Sequence, residues 1–297
     1  FYQYNKERKN QKHTRKTNTQ TKKQIQTQGG GTGFYLKINS SGVVQWVKTI
    51  KPGVQGGTIF IDSQDNKYLS GGCRGQGPQG SVYSSRGPAP FSNVDGDDIA
   101  TLNCATPSNF PETFVIKLDS SDDYVWHWND WGGGGSQIIA NNNGDVFVTY
   151  YINESQTEIC GTSTTAVTVS SEVYVLVKLD STGTCQWFYK SDDLLIDSWW
   201  TNRLGVDSNN NIYMNTTAYT YNPIGYYVQS FYILVINDQG VQQNSLSWNT
   251  ATYDLVFDAD DNKDLFTLIS LNSVSKLPSF FPYSSDFSFK ICSNSPF

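Results

Sequence analysis

The chain has 297 residues, a net charge of −6 and a composition weighted to 18 Tyr, 16 Phe, 8 Trp and 25 Gly with a single Met, which favours strands and turns over helices. A membrane-spanning helix needs about 20 consecutive apolar residues, and no such run occurs. The five cysteines, Cys73, Cys104, Cys160, Cys185 and Cys292, lack the close pairs of a structural zinc site.

In chain order, residues 1–33 come first: rich in Lys, Gln, Thr and Asn and ending in a Gly-rich hinge, they cannot form a core and read as a polar, basic N-terminal arm. Residues 1–28 carry eight Lys/Arg against Glu7, a charge of +7, and leave −13 for the remainder. A basic arm thus precedes an acidic body over 34–297.

From Phe34 onward, short apolar runs alternate with Asp/Asn/Ser/Gly turns, the pattern of hairpins. Three runs share one plan: Phe34-Tyr-Leu-Lys-Ile38, Phe114-Val-Ile-Lys-Leu118 and Leu176-Val-Lys-Leu179, each followed by a turn and a Trp. Lys37, Lys117 and Lys178 precede Trp46, Trp126 and Trp187 by nine residues each. A fourth copy, Tyr232 to Gly240, has neither Lys nor Trp, and Phe287-Ser-Phe-Lys290 begins a partial fifth. A second recurring half places an Asp/Asn turn between two apolar stretches, at Ile61–Tyr68, Ala140–Phe147, Val206–Tyr213 and Phe257–Asp264. Units therefore start near 34, 114, 174, 231 and 287, with residues 73–111 as a long inserted loop. Two hairpins make a small four-stranded sheet, apolar on both faces, and stacking such sheets radially buries those faces. The expected fold is an all-β propeller of four-stranded blades, with the repeated Trp between blades.

Phe114-Val-Ile-Lys-Leu-Asp-Ser-Ser121, Trp126, Gly132 to Gly135 and Gly144-Asp-Val-Phe-Val-Thr149 resemble the bacterial-type β-propeller repeat family (SBBP-like repeats) of large secreted and surface proteins. The resemblance runs from about Gly33 to Lys290; the fourth unit and the 73–111 insertion depart from it. It implies a propeller in an extracellular or cell-surface setting and supplies no catalytic residues.

Candidate chemistry is sparse. The two histidines are His13, in the arm, and His127, between Trp126 and Trp128, too few to build a Ser-His-Asp or two-His zinc site. Trp128, Trp131, Trp199 and Trp200 are candidate platforms for stacking on sugar rings, whereas Trp126 falls on the repeat and reads as core. Asp258, Asp260, Asn262 and Asp264 alternate as calcium-loop ligands do, without the glycine and distal Glu of the full motif. Asn39, Asn153 and Asn215 open glycosylation sequons. Cys73 and Cys104 bracket the insertion and are the expected disulfide, and an odd cysteine count leaves one thiol over.

These readings converge on a non-enzymatic, secreted or surface structural protein that self-associates or binds protein partners. The +7 arm of one copy would lie along the −13 body of the next to build a filament. Nucleic acid is not expected as a partner, because the acidic body repels a polyanion, and no cofactor is expected beyond the calcium candidate. The alternative is a carbohydrate- or protein-binding module using the Trp-rich loops; a propeller glycosidase or lyase ranks third.

Overall fold

A computed structural model describes residues 33–50, 54–73, 87–93, 97–104, 112–130, 133–152, 156–160, 162–167, 173–190, 203–221, 227–248, 252–257 and 265–269. The arm before Gly33 and the partial fifth unit lie outside them. In chain order the strands are β1 (Gly33–Ile38), β2 (Val44–Ile50), β3 (Val54–Ile61), β4 (Lys67–Cys73), β5 (Gly87–Asn93), β6 (Asp98–Cys104), β7 (Glu112–Leu118), β8 (Tyr124–Asp130), β9 (Gly133–Ala140) and β10 (Val146–Ile152). They continue with β11 (Gln156–Ile159), β12 (Thr162–Val167), β13 (Val173–Leu179), β14 (Cys185–Lys190), β15 (Arg203–Val206), β16 (Ile212–Tyr221), β17 (Tyr227–Ile236), β18 (Gln242–Trp248), β19 (Thr252–Phe257) and β20 (Leu265–Ile269). All pair antiparallel: four four-stranded sheets ordered β1-β2-β5-β6, β3-β4-β7-β8, β9-β10-β13-β14 and β15-β16-β17-β18, and two hairpins, β11-β12 and β19-β20.

One turn design recurs seven times among the described residues. Asn39, Asp62, Asp119, Asn141, Asp180, Asp207 and Asn237 each accept two backbone N–H groups on the side-chain oxygen, from the second and fourth residues onward. The third residue onward has positive φ: Gly42, Asp65, Asp122, Gly144, Gly183, Asn210 and Gly240. That is a type I turn closed by a left-handed residue, and Gly, Asn and Asp are the residues that tolerate the last position. The turn also explains the nine-residue spacing: its bulge brings Lys37 opposite Trp46, Lys117 opposite Trp126 and Lys178 opposite Trp187.

The sheets are offset by half a unit from the sequence repeats. The second sheet takes β3-β4 from the end of the first unit and β7-β8 from the start of the next, joined by pairing of β4 with β7. The third and fourth sheets are assembled in the same way, through β10 with β13 and β16 with β17. The stretch 73–111, expected to be a loop, carries the hairpin β5-β6, which adds to β2 and completes the first sheet.

Three apolar clusters lie between successive sheets. Tyr35, Ile50, Phe91, Leu69, Phe114, Ile116 and Leu118 join the first and second. Tyr68, Val115, Trp126, Ile138, Val148, Val175, Val177 and Leu179 join the second and third. Phe147, Leu176, Ile212, Met214, Leu234 and Ile236 join the third and fourth. Middle strands are covered on both faces, so β4 and β10 are buried at every position. Asn215 lies in β16 with no exposed surface, so the folded chain has no room there for the glycan its sequon allowed. Asn39 is exposed in the first turn, and the Oδ1 that organises the turn would survive modification at Nδ2. Asn153 lies outside the described residues.

Candidate functional site

At the turn end of the sheets, repeated Lys and Trp side chains latch the second sheet to the third and the third to the fourth. Trp126 Nε1 of β8 donates to the Ser181 carbonyl in the β13-β14 turn at 2.9 Å. Trp187 Nε1 of β14 donates to the Asp238 carbonyl in the β17-β18 turn at 2.8 Å. Each indole lies flat on the left-handed glycine of the turn it reaches: a Cβ on Gly183 or Gly240 would stand 2.8 Å from Cδ2 of Trp126 or Trp187. The lysines reach the same turns. Lys117 Nζ donates to the Ser181 carbonyl at 3.4 Å and lies over the Tyr68 ring. Lys178 pairs with Asp238 and, at 3.1 Å, with Asp145. Burial disfavours the Lys178 ammonium, but the two carboxylates outweigh it and raise its pKa.

Between the first two sheets the glycine of the turn is replaced by Asp122, and an ion triad forms in its place. Asp122 accepts from Lys37 at 2.8 Å and pairs with Lys67 at 2.9 Å. Lys67 is buried in β4 and also donates to the Asp119 and Ser120 carbonyls. Burial alone would raise the Asp122 pKa; hydrogen bonds from Lys37 and Lys67 prevail and hold it near 2. A carboxylate held below its unfolded value stabilises the fold fully above pH about 3.8, and that contribution disappears as pH falls through about 2. Asp122→Asn strands a buried ammonium that keeps its carbonyl partners and the exposed Asp65, so the expected loss at neutral pH is about 1–3 kcal/mol. Urea midpoints measured from neutral pH down to about pH 2 should show a shallower acid decline in the variant than in the parent. Parallel curves would show that the triad is not formed.

At the opposite end of the strands, Trp128 is the only sugar-platform candidate among the described residues. It is partly buried against the second cluster, its ring centroid 6.3 Å from that of Tyr150. Packed there, its ring borders the core cluster and is only partly open to solvent. Trp131, Trp199 and Trp200 lie outside the described residues, as do the calcium candidates Asp258, Asp260, Asn262 and Asp264. Among the described residues, no group of three or more His, Cys, Asp and Glu is placed to hold a metal. His127 is half-buried, its Nδ1 2.7 Å from the Tyr124 hydroxyl, and burial lowers its pKa.

Nearby, Asp130 accepts from the buried Tyr150 hydroxyl at 2.9 Å and from the Cys160 N–H at 3.0 Å. This fixes the turn that carries one of two disulfides. Cys160 is bonded to Cys185, and Cys73 to Cys104. Sequence reasoning reached neither Cys160–Cys185 nor the Asp122 triad. The triad had one visible signal, an Asp in the turn position where sibling turns carry Gly.

No family model matches the chain, and no curated protein matches it. Among solved structures it is similar to BamB from Moraxella catarrhalis, at 12% identity over 83% of this chain and 90% of that one, with a TM-score of 0.17. At that score the likeness carries no statement about how the sheets are arranged.

Proposed function

We propose that the chain is a non-enzymatic extracellular or surface β-propeller, its four-stranded sheets serving as blades, that acts as a structural or assembly subunit with its basic N-terminal segment as connector. The observation carrying the propeller reading is the repeated latch. Trp126 and Trp187 each donate into the equivalent turn of the following sheet and lie on its glycine. A contact repeated between unlike faces of successive units winds them about an axis, and a radial array of small four-stranded sheets is a propeller. Two disulfides favour an oxidising, extracellular compartment. The assembly role is supported by the charge contrast between +7 over residues 1–28 and −13 over the rest.

Negative-stain electron microscopy of the chain with and without residues 1–32, at low and high salt, tests that role. Ordered oligomers or filaments are expected at low salt, lost on deletion of the segment and weakened as salt screens the charges. Uniform monomers in every condition would overturn the assembly role.

A further inference from the structure

Equivalent positions in successive sheets have unequal surroundings. Phe114, Ile116 and Leu118 of β7 are 0% exposed, as are Val175, Val177 and Leu179 of β13, because the preceding sheet covers them. Their counterparts on β1, Phe34, Leu36 and Ile38, are 54%, 37% and 53% exposed. The inner strands show the same contrast: Ile138 and Ala140 of β9 are 7% and 6% exposed, while Ile59 and Ile61 of β3 stand at 49% and 55%. Five apolar side chains that the repeat buries elsewhere are thus open around β1 and β3.

The backbone has the matching gap. β7, β13 and β17 each lie between two strands, whereas β1 pairs with β2 alone among the described residues. The first sheet therefore has a second hairpin, β1-β2, and lacks the first hairpin that β3-β4, β9-β10 and β15-β16 provide elsewhere. β19-β20 has the converse deficit. It follows the fourth sheet as the next first hairpin in chain order, with no second hairpin paired to it among the described residues. It also continues an existing interface: β9 lies beside β3, β15 beside β9, and β19 beside β15.

We propose that β19-β20 and β1-β2 are two halves of one sheet, with β20 adding antiparallel to the free edge of β1. The strand order becomes β19-β20-β1-β2-β5-β6 and the array closes as a ring of four sheets. Closure sets Phe34, Leu36 and Ile38 against the far face of the fourth sheet and lays β19-β20 over Ile59 and Ile61. A bare β-edge flanked by apolar side chains recruits a strand, and a hairpin of the same chain has the advantage of effective concentration over any other molecule. Counting from Asp258 as from Asp62, Leu265 takes the place of Leu69; Leu69 pairs with Ile116, the counterpart of Leu36. Leu36 and Leu265 are therefore expected to be neighbours across the new pair.

This inference rests on reading the sheets as blades, so its test carries a control for that reading. In a full-length Cys292→Ser background, thiols are placed at Leu36→Cys with Leu265→Cys, or at Leu36→Cys with Thr267→Cys one pair along the same face, and treated with a short bifunctional thiol reagent. The control pair is Tyr189→Cys with Gln242→Cys, whose parent side chains are hydrogen-bonded between the third and fourth sheets. Closure predicts crosslinking within one molecule at least about tenfold faster than between molecules at micromolar concentration, for at least one of the two pairs, and unchanged on deletion of residues 270–297. If the control crosslinks and both β1–β20 pairs do not, closure is wrong while the neighbouring-blade arrangement stands; if the control also fails, the blade reading falls. Crosslinked dimers without crosslinked monomers would mean that a second copy fills the edge. Crosslinking that appears only after deletion of 270–297 would mean that those residues occupy it. Either result overturns the proposal.

Discussion

Gly183→Ala is expected to destabilise the chain by about 2–5 kcal/mol, and Gly42→Ala by only about 1–2 kcal/mol, although both glycines hold the same position of the same turn. Both have positive φ, 84° at Gly183 and 76° at Gly42, so both variants incur the left-handed penalty of an L side chain. Space separates them. A Cβ on Gly42 meets nothing within 4 Å, whereas on Gly183 it would stand 2.8 Å from Cδ2 and 2.9 Å from Cε3 of Trp126. The indole cannot withdraw freely, because its Nε1 is held by the Ser181 carbonyl two residues before the glycine and its ring borders the cluster between the second and third sheets. Urea unfolding of the two variants, read by midpoint at unchanged slope, measures the difference. Equal losses would show that Trp126 does not rest on the turn, and the latch would fail with it.

Features set within one hairpin were legible in the sequence, and pairings between distant hairpins were not. The seven turns were legible because each is closed by its own Asn or Asp and by a residue tolerant of positive φ, all within five residues. The Lys–Trp spacing was equally local, set by one hairpin. Pairing between hairpins was not, since β4 finds β7 across the whole of 73–111 and nothing within either hairpin names its neighbour. Residues 73–111 interrupt the repeat and so read as an inserted loop, although they carry β5 and β6, and β5 holds Pro88 and Pro90, which ordinarily argue against a strand. Both lie in the half of β5 that pairs with β6 alone; β2 meets only Phe91, Ser92 and Asn93. A ladder needs no N–H on its unpaired side, so the prolines are tolerated there. For Trp128, strand periodicity held the answer: residues two apart share a face, so Trp128 follows Trp126 toward the core. Asn215 misled because a sequon describes three residues, whereas burial depends on the sheets to either side.

Removing the Cys73–Cys104 bridge is expected to lower stability by about 3–4 kcal/mol, with the damage concentrated in the first sheet. The bridge closes 31 residues of sequence, and loop-closure entropy for a loop of that size is worth about 3.5 kcal/mol in the unfolded chain. Its position explains the selectivity. Cys73 ends β4 in the second sheet and Cys104 ends β6 in the first, both buried in the cluster between those sheets. The hairpin it anchors holds to β2 through three residue pairs, Lys48 with Asn93, Thr49 with Ser92 and Ile50 with Phe91, with Phe91 and Leu102 as its fully buried side chains. Without the bridge, the short ladder to β2 and the packing of Phe91, Leu102, Ile99 and Ala100 against that cluster must hold the hairpin in place. Double replacement Cys73→Ala with Cys104→Ala, followed by native-state hydrogen exchange, separates local from global loss. Amides of β5 and β6 should lose protection while those of β10, β13 and β16 keep theirs at concentrations of denaturant well below the midpoint. Uniform loss across all four sheets would mean that the inserted hairpin is integral to the cooperative core rather than fastened onto its first sheet, and the disulfide would then act on the array as a whole.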